Sequence, residues 1–202
     1  MSSPSILYLL RHGQIAGHEE RRLIGQMDVP LSAKGIEQIR WWKEQWAHLS
    51  FDRILCSDLS RSRSSAEILA ELVDGPVETV PELREITLGE WEGLTAEEIG
   101  TRYPSEWDER GKDLEKYRPP GGESFSDLSA RTVPVFETAA QAGGRVLIVG
   151  HAAVNRVILC HILGVPLSNV FRLGQDYAAL NIIVSRNGTW CVDLLNRSPD
   201  GF

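Results

Sequence analysis

The sequence predicts an α/β fold in which a mostly parallel central sheet is covered by helices, and three observations carry that expectation. Short apolar runs alternate with segments of helical period, the pattern of parallel strands joined by crossover helices. Near the C-terminus two β-rich runs surround Asn187-Gly188, a pair suited to the positive φ angles of a tight turn, so a C-terminal β-hairpin is expected. Between these regions the alternation stops, and residues 91–122 form a polar stretch rich in Trp, Gly and Pro that is too long for an ordinary connection.

Taken in order, strands are expected near 5–10 (SILYLL), 52–56 (DRILC), 77–80 (VETV) and 145–149 (RVLIV). The first crossover helix lies in 31–49, where Ile36, Ile39, Trp42 and Trp46 recur at helical spacing. A second lies in 59–73, with Leu59, Ala66, Leu69, Ala70 and Val73 on one face. The insertion holds short helices near 95–101 and 105–116, and insertions of this kind often cover a site. A long helix starts at Glu123 or Ser124 and runs to about residue 141, with a kink expected at Pro134 because proline lacks the amide donor. The hairpin occupies 180–195.

The chain has 202 residues, which suits a single domain over 1–202 with the insertion 91–122 as a cap. Hydrophobic residues make up 42% and charged residues 24%, enough for a sizeable core. There are 21 Lys and Arg against 28 Asp and Glu, a net charge of −7, which argues against a nucleic-acid or anionic-membrane partner while leaving room for a local basic pocket. Cys56, Cys160 and Cys191 are widely spaced and lack a CxxC, so neither a disulfide framework nor a structural zinc site is expected. No segment approaches the roughly 18 apolar residues of a membrane span, and a soluble cytoplasmic protein is the expectation. Trp41 and Trp42 point about 100° apart on a helix, leaving one free for a partner surface such as a homodimer.

Ligands of open α/β sheets bind beyond the carboxyl ends of the strands. Arg11-His12-Gly13 follows the first strand, and Cys56-Ser57-Asp58-Leu59-Ser60-Arg61 the second. The third leads to Pro81-Glu82-Leu83-Arg84-Glu85, and the fourth ends at Gly150-His151. A single Arg, Glu or His after a strand is usually a solvated charge or an ion-pair partner. Four strand ends that agree are a stronger signal. Guanidiniums aimed at one place repel unless a polyanion sits between them, and their planar forks match phosphate oxygens. A neutral imidazole beside a phosphate can attack phosphorus, provided its other ring nitrogen donates to a backbone carbonyl. The leaving alkoxide then needs a proton, and a carboxyl group beside a bound phosphate dianion suits that task, which makes Glu85 the candidate acid.

Six segments then resemble one family in order and spacing: LLRHGQ, RLIGQMDVPLSAKG, CSDLSRSRSSAEIL, LREITLGEWEG, PPGGESFSDLSAR and VLIVGHAAVNRVIL. The chain resembles the histidine phosphatase superfamily, which includes cofactor-dependent phosphoglycerate mutases, over nearly its whole length. The resemblance implies a three-layer α/β sandwich with His12 as the phosphorylated nucleophile and Arg11 and Arg61 as phosphate clamps. It implies His151 as a second histidine of the phosphate pocket and Glu85 as proton donor, with no metal and no cofactor. Arg63 and Arg84 fall beside motif positions and are expected at the surface or rim.

Departures from the family pattern are local. Gln14 and Ile15 stand where Glu with Thr or Ser is common, and His18 stands where an Asn usually touches phosphate. His18 is therefore either a further phosphate-binding donor or an exposed loop histidine. Arg22 matches a family arginine near the pocket rim. The short chain with one insertion favours hydrolysis of small phosphomonoesters over mutase chemistry, and its size and PPGGES run are similar to the branch holding α-ribazole-5'-phosphate and phosphoserine phosphatases. The partner is thus a small phosphorylated metabolite. Trp91, Trp107, Tyr103 and Tyr117 either stack on a base or fill a small core, the commoner use. A phosphoglycerate mutase-type phosphotransferase, a non-catalytic phosphate-binding homologue and a metal-dependent hydrolase are the alternatives, the last without the usual ligand spacing.

Overall fold

The computed structural model describes residues 5–186 and 189–201. Its sheet has the strand order β3-β2-β4-β1-β5-β6. The first four in that order are β3 (Glu78–Thr79), β2 (Arg53–Cys56), β4 (Arg145–Gly150) and β1 (Ile6–Arg11), all parallel. Antiparallel β5 (Leu180–Arg186) and β6 (Thr189–Arg197) complete it as the expected hairpin. The turn pair Asn187-Gly188 lies outside the described residues.

Alternation along the central strands builds two cores. Leu7, Leu9, Val146 and Ile148 face one side, against α5 (Phe125–Ala142) and α6 (Ala152–Leu163). Tyr8, Leu10, Leu147 and Val149 face the other, against α1 (Ala33–Gln45) and α2 (Ser60–Ile68). A strand buried on both faces reads as a continuous apolar run, which is why β1 and β4 are visible in the sequence. Truncating Leu9, fully buried at the centre, to Ala costs about 2–5 kcal/mol.

Local chemistry sets the helix starts. The Ser32 hydroxyl accepts from Gly35 N at 3.1 Å and caps α1, and Ser124 with Asp127 forms a reciprocal capping box on α5. In the insertion, α3 (Ala96–Arg102) starts on a Thr95–Glu98 capping box, and α4 (Pro104–Lys112) places proline in its first turn. The second insertion helix ends four residues earlier than expected, at Lys112 rather than 116, where Asp113 leaves helical backbone angles.

Pro134 does not end α5, which runs unbroken through it on an exposed face. Trp42 is buried and Trp41 half-buried against the same core, with ring centroids 4.8 Å apart, so neither tryptophan stands free at a surface. Among the described residues no helix is long and apolar enough to cross a membrane.

Candidate active site

The carboxyl end of β1 delivers Arg11, His12 and Gly13 to a cleft. His12 N donates to Gly150 O at 3.0 Å, which extends the β1–β4 pairing one step past the strand. Gly13 is required by a close backbone approach, since a Cβ there would lie 2.3 Å from Gly35 O of α1. That approach fixes the turn that aims His12. The ring Nδ1 lies 2.7 Å from Gly13 O. A carbonyl only accepts, so Nδ1 carries the proton and Nε2 keeps its lone pair. Burial, then the charges of Arg11 and Arg61, holds the His12 pKa well below its ordinary 6.5. The imidazole is thus neutral with one free nitrogen.

Carbonyl oxygens rather than carboxylates hold the two arginines. Arg11 Nη1 donates to Gln175 O at 2.7 Å, and its guanidinium lies 3.9 Å from the Tyr177 ring centroid. Arg61, 1% exposed in the first turn of α2, donates to Met27 O and Gly25 O, each at 2.7 Å. Anchored this way, neither guanidinium forms an ion pair among the described residues, although the Glu85 carboxylate acts on both charges. His151 is the N-cap residue of α6, and its ring centroid lies 5.1 Å from that of His12. Burial first, then His12 and the arginines, pushes its pKa well below 6.5. Arg11 Nε, Arg61 Nε and both ring nitrogens of His151 are buried without a hydrogen-bond partner. An unpaired buried donor costs about 1–3 kcal/mol, and a tetrahedral anion bound among these atoms relieves several such costs at once.

Glu85 enters the same cleft from the segment after β3. Its Oε1 accepts from Ile86 N at 2.9 Å and its Oε2 from Ala153 N at 3.3 Å, in the first turn of α6. Because the His151 side chain leaves the α6 N-terminus uncapped, an amide there is free to fix the carboxylate. The backbone of this segment is clamped in turn by Arg131 of α5. That guanidinium donates to Glu82 O, Arg84 O and Glu85 O at 2.5, 2.9 and 3.0 Å and pairs with Glu123, whose other contact is Thr87 N.

The structure therefore brings Arg11, His12, Arg61, Glu85 and His151 together, and leaves His18 apart. His18 sits in an exposed 3₁₀ turn between the left-handed residues Gly17 and Arg21, bonded to Gln14 and paired with Glu19 at 3.0 Å, outside the cleft lining. Its side chain is exposed and its ring lies 6.2 Å from that of Tyr177, which lines the cleft, so the structure places it outside the cleft lining, near one of its walls. Gln14 is engaged with Ser32 and His18. Arg22 lines the cleft and is paired with Glu20 and Glu98. Arg84 is bound to Asp58 and Arg63 to Glu67, away from the cleft. Trp91 is fully buried, stacked on Tyr117 at 5.7 Å and packed on Trp107 at 5.6 Å, and so forms a small core for the insertion.

Sequence reasoning missed Tyr177, Arg110, Arg156 and Phe171, all of which line the cleft. Arg156 lies one helical turn after Ala152, so the motif VLIVGHAAVNR contained the spacing that finds it. Tyr177 had no such signal, since it arrives on an irregular loop that Gln175 ties to Asn155 and Asn181.

Fold and site together define an α/β protein with a buried histidine pair and an arginine-lined cleft at the carboxyl edge of a mostly parallel sheet. The chain belongs to the histidine phosphatase superfamily, branch 1, whose sequence model matches residues 7–198. It is 32% identical over 191 residues to "Probable phosphoglycerate mutase GpmB" of Salmonella choleraesuis, a match covering 91% of this chain and 86% of that one. Among solved structures it is similar to the alpha-ribazole phosphatase of Shigella flexneri, with a TM-score of 0.86 and 26% identity over 95% of this chain and 96% of the other. It is also similar to a mycobacterial glucosyl-3-phosphoglycerate phosphatase, with a TM-score of 0.86 and 28% identity over 96% and 100% of the two chains.

Proposed function

We propose that this chain is a metal-independent phosphomonoesterase that hydrolyses a small phosphorylated metabolite through a phosphohistidine. The observation that carries the reading is the pairing of a free His12 Nε2, opposite an Nδ1 held 2.7 Å from Gly13 O, with the His151 ring 5.1 Å away and two arginines lacking carboxylate partners. In the first step His12 Nε2 forms a bond to phosphorus as the bond to the ester oxygen breaks. The Glu85 carboxyl gives its proton to that departing oxygen. In the second step a water oxygen bonds to phosphorus, Glu85 takes the water proton, and the P–N electron pair returns to Nε2. Arg11, Arg61 and the His151 ring stabilise charge on the transferring phosphoryl group throughout. Among the described residues no three His, Cys, Asp or Glu side chains group as metal ligands, and the cationic donor set supplies the charge that a metal would bring.

A second reading is favoured by the curated relative's name. A phosphoglycerate mutase-type transferase would pass the same phosphoryl group to a second hydroxyl instead of water. Both readings are tested by assaying p-nitrophenyl phosphate hydrolysis with and without EDTA, alongside 3-phosphoglycerate isomerisation primed by 2,3-bisphosphoglycerate. Hydrolysis unchanged by EDTA and faster than isomerisation is expected. Complete loss on metal removal, or isomerisation outpacing hydrolysis, overturns the phosphatase reading.

A further inference from the structure

Two more guanidiniums line the cleft, Arg110 from α4 and Arg156 from α6. Both are half-buried, and among the described residues neither forms an ion pair. Arg11 and Arg61 of the same cleft share that state, as do Arg21, Arg40, Arg145 and Arg172 elsewhere. Arg53, Arg84, Arg118, Arg131 and Arg186 are each paired with a carboxylate, as is Arg22 in the same cleft. Arg156 Nε donates to Leu173 O at 2.8 Å, which fixes the stem and leaves the terminal nitrogens for other partners. Arg110 has aromatic contacts, 5.3 Å from the Trp107 centroid and 5.5 Å from that of Phe171. Arg156 lies 5.4 Å from the same Phe171 ring.

Phe171 is itself 52% exposed, a large apolar ring kept in contact with solvent at the cleft and set edge-on to Phe125 at 5.5 Å. Stacking engages the face of a guanidinium and leaves its in-plane N–H donors for an anion. Burial, followed by repulsion from Arg11, lowers the Arg156 pKa, and burial lowers that of Arg110. Desolvated like charges without a fixed counter-ion are costly, and a ligand anion removes that cost.

We propose that Arg110 and Arg156 form a second anion subsite, so that the phosphomonoester taken by this cleft carries a second anionic group, a carboxylate or a further phosphate, against Phe171. The inference rests on the phosphomonoesterase reading for its phosphate end. Its test keeps the two apart by measuring binding separately from turnover.

Calorimetric binding of phenylphosphonate is compared with that of 3- and 4-carboxyphenylphosphonate and of 1,3-phenylene bisphosphonate, on the wild type, Arg110→Gln, Arg156→Gln and Arg110→Lys. The better doubly anionic probe binds the wild type at least about tenfold tighter than phenylphosphonate, and the ranking of carboxylate against phosphonate identifies the second group. Within each variant the ratio of the two affinities cancels any general loss of binding. That ratio falls to within about threefold of unity in either Gln variant and is partly kept by Arg110→Lys. A wild-type ratio near unity, or one that survives both Gln replacements, overturns the subsite. Phenyl phosphate turnover is measured on the same samples. Hydrolysis without a charge preference leaves the phosphatase reading standing and removes the subsite. An arginine-dependent preference without hydrolysis does the reverse.

Discussion

The imidazole rings of His12 and His151 lie 5.1 Å apart, centroid to centroid, at an interplanar angle of 62°. Both are buried among guanidiniums, and both pKa values fall well below the ordinary 6.5. The unfolded chain therefore takes up protons first as pH falls. Stability from the neutral pair is complete above about pH 6.5 and is lost below it, by up to about 1.4 kcal/mol per pH unit for each histidine. Denaturant melts between pH 8 and 5 are expected to show this loss, with a slope smaller by about one proton in His151→Asn. An unchanged slope contradicts burial of a neutral His151.

The two oxygens of Glu85 accept from Ile86 N and Ala153 N, which fixes its side chain in the cleft, and the proposed mechanism assigns it the proton for the leaving oxygen. Glu85→Gln is expected to slow alkyl phosphate hydrolysis about 100-fold more than p-nitrophenyl phosphate hydrolysis, since the good leaving group departs unprotonated. Equal slowing removes Glu85 from the acid role. Arg131→Met loosens the segment carrying Glu85 and shifts kcat in the same leaving-group-dependent way while KM changes little. It also lowers stability by about 1–2 kcal/mol, because Glu123 and the carbonyls of this segment lose a half-buried partner.

Arg11 offers a planar fork anchored by Gln175 O and stacked on Tyr177. Arg11→Lys keeps the charge and loses both the fork and the stack, so kcat/KM is expected to drop about tenfold or more. Wild-type kcat/KM in that variant refutes the clamp.

Gly13 and Gly35 meet where β1 passes α1. Added methyl groups would lie 2.3 Å from Gly35 O and 2.1 Å from Gln14 O respectively. Gly13→Ala and Gly35→Ala are each expected to cost about 1–3 kcal/mol and to lower activity together with stability, as the His12 turn shifts. A Gly13→Ala protein with unchanged melting and rate contradicts the close approach.

How far these relationships are legible in the sequence depends on their range. Strands β1, β2 and β4 are visible because burial on both faces makes each a bounded apolar run, and Arg11, His12, Arg61 and His151 follow from those strand ends. The strand expected at 77–80 is found as the two-residue β3 (Glu78–Thr79), whereas the 3₁₀ turns carry too few residues for a period. His18 is ambiguous because the course of its loop depends on backbone angles at Gly17 and Arg21. Trp41 is half-buried because two adjacent aromatic rings can both pack when one lies along the edge of the core. Arg110 and Tyr177 become neighbours of the cleft through the folding of the insertion and of an irregular loop, contacts that no local pattern encodes.

The central claim is that His12 Nε2 accepts the phosphoryl group. A denaturing alkaline quench during turnover of a monoester radiolabelled in its phosphoryl group, followed by separation of the protein, measures it directly. The account predicts base-stable, acid-labile phosphorus on His12 that accumulates in wild type and is absent in His12→Ala. Label that survives in His12→Ala, or turnover with no labelled protein at any time, contradicts it.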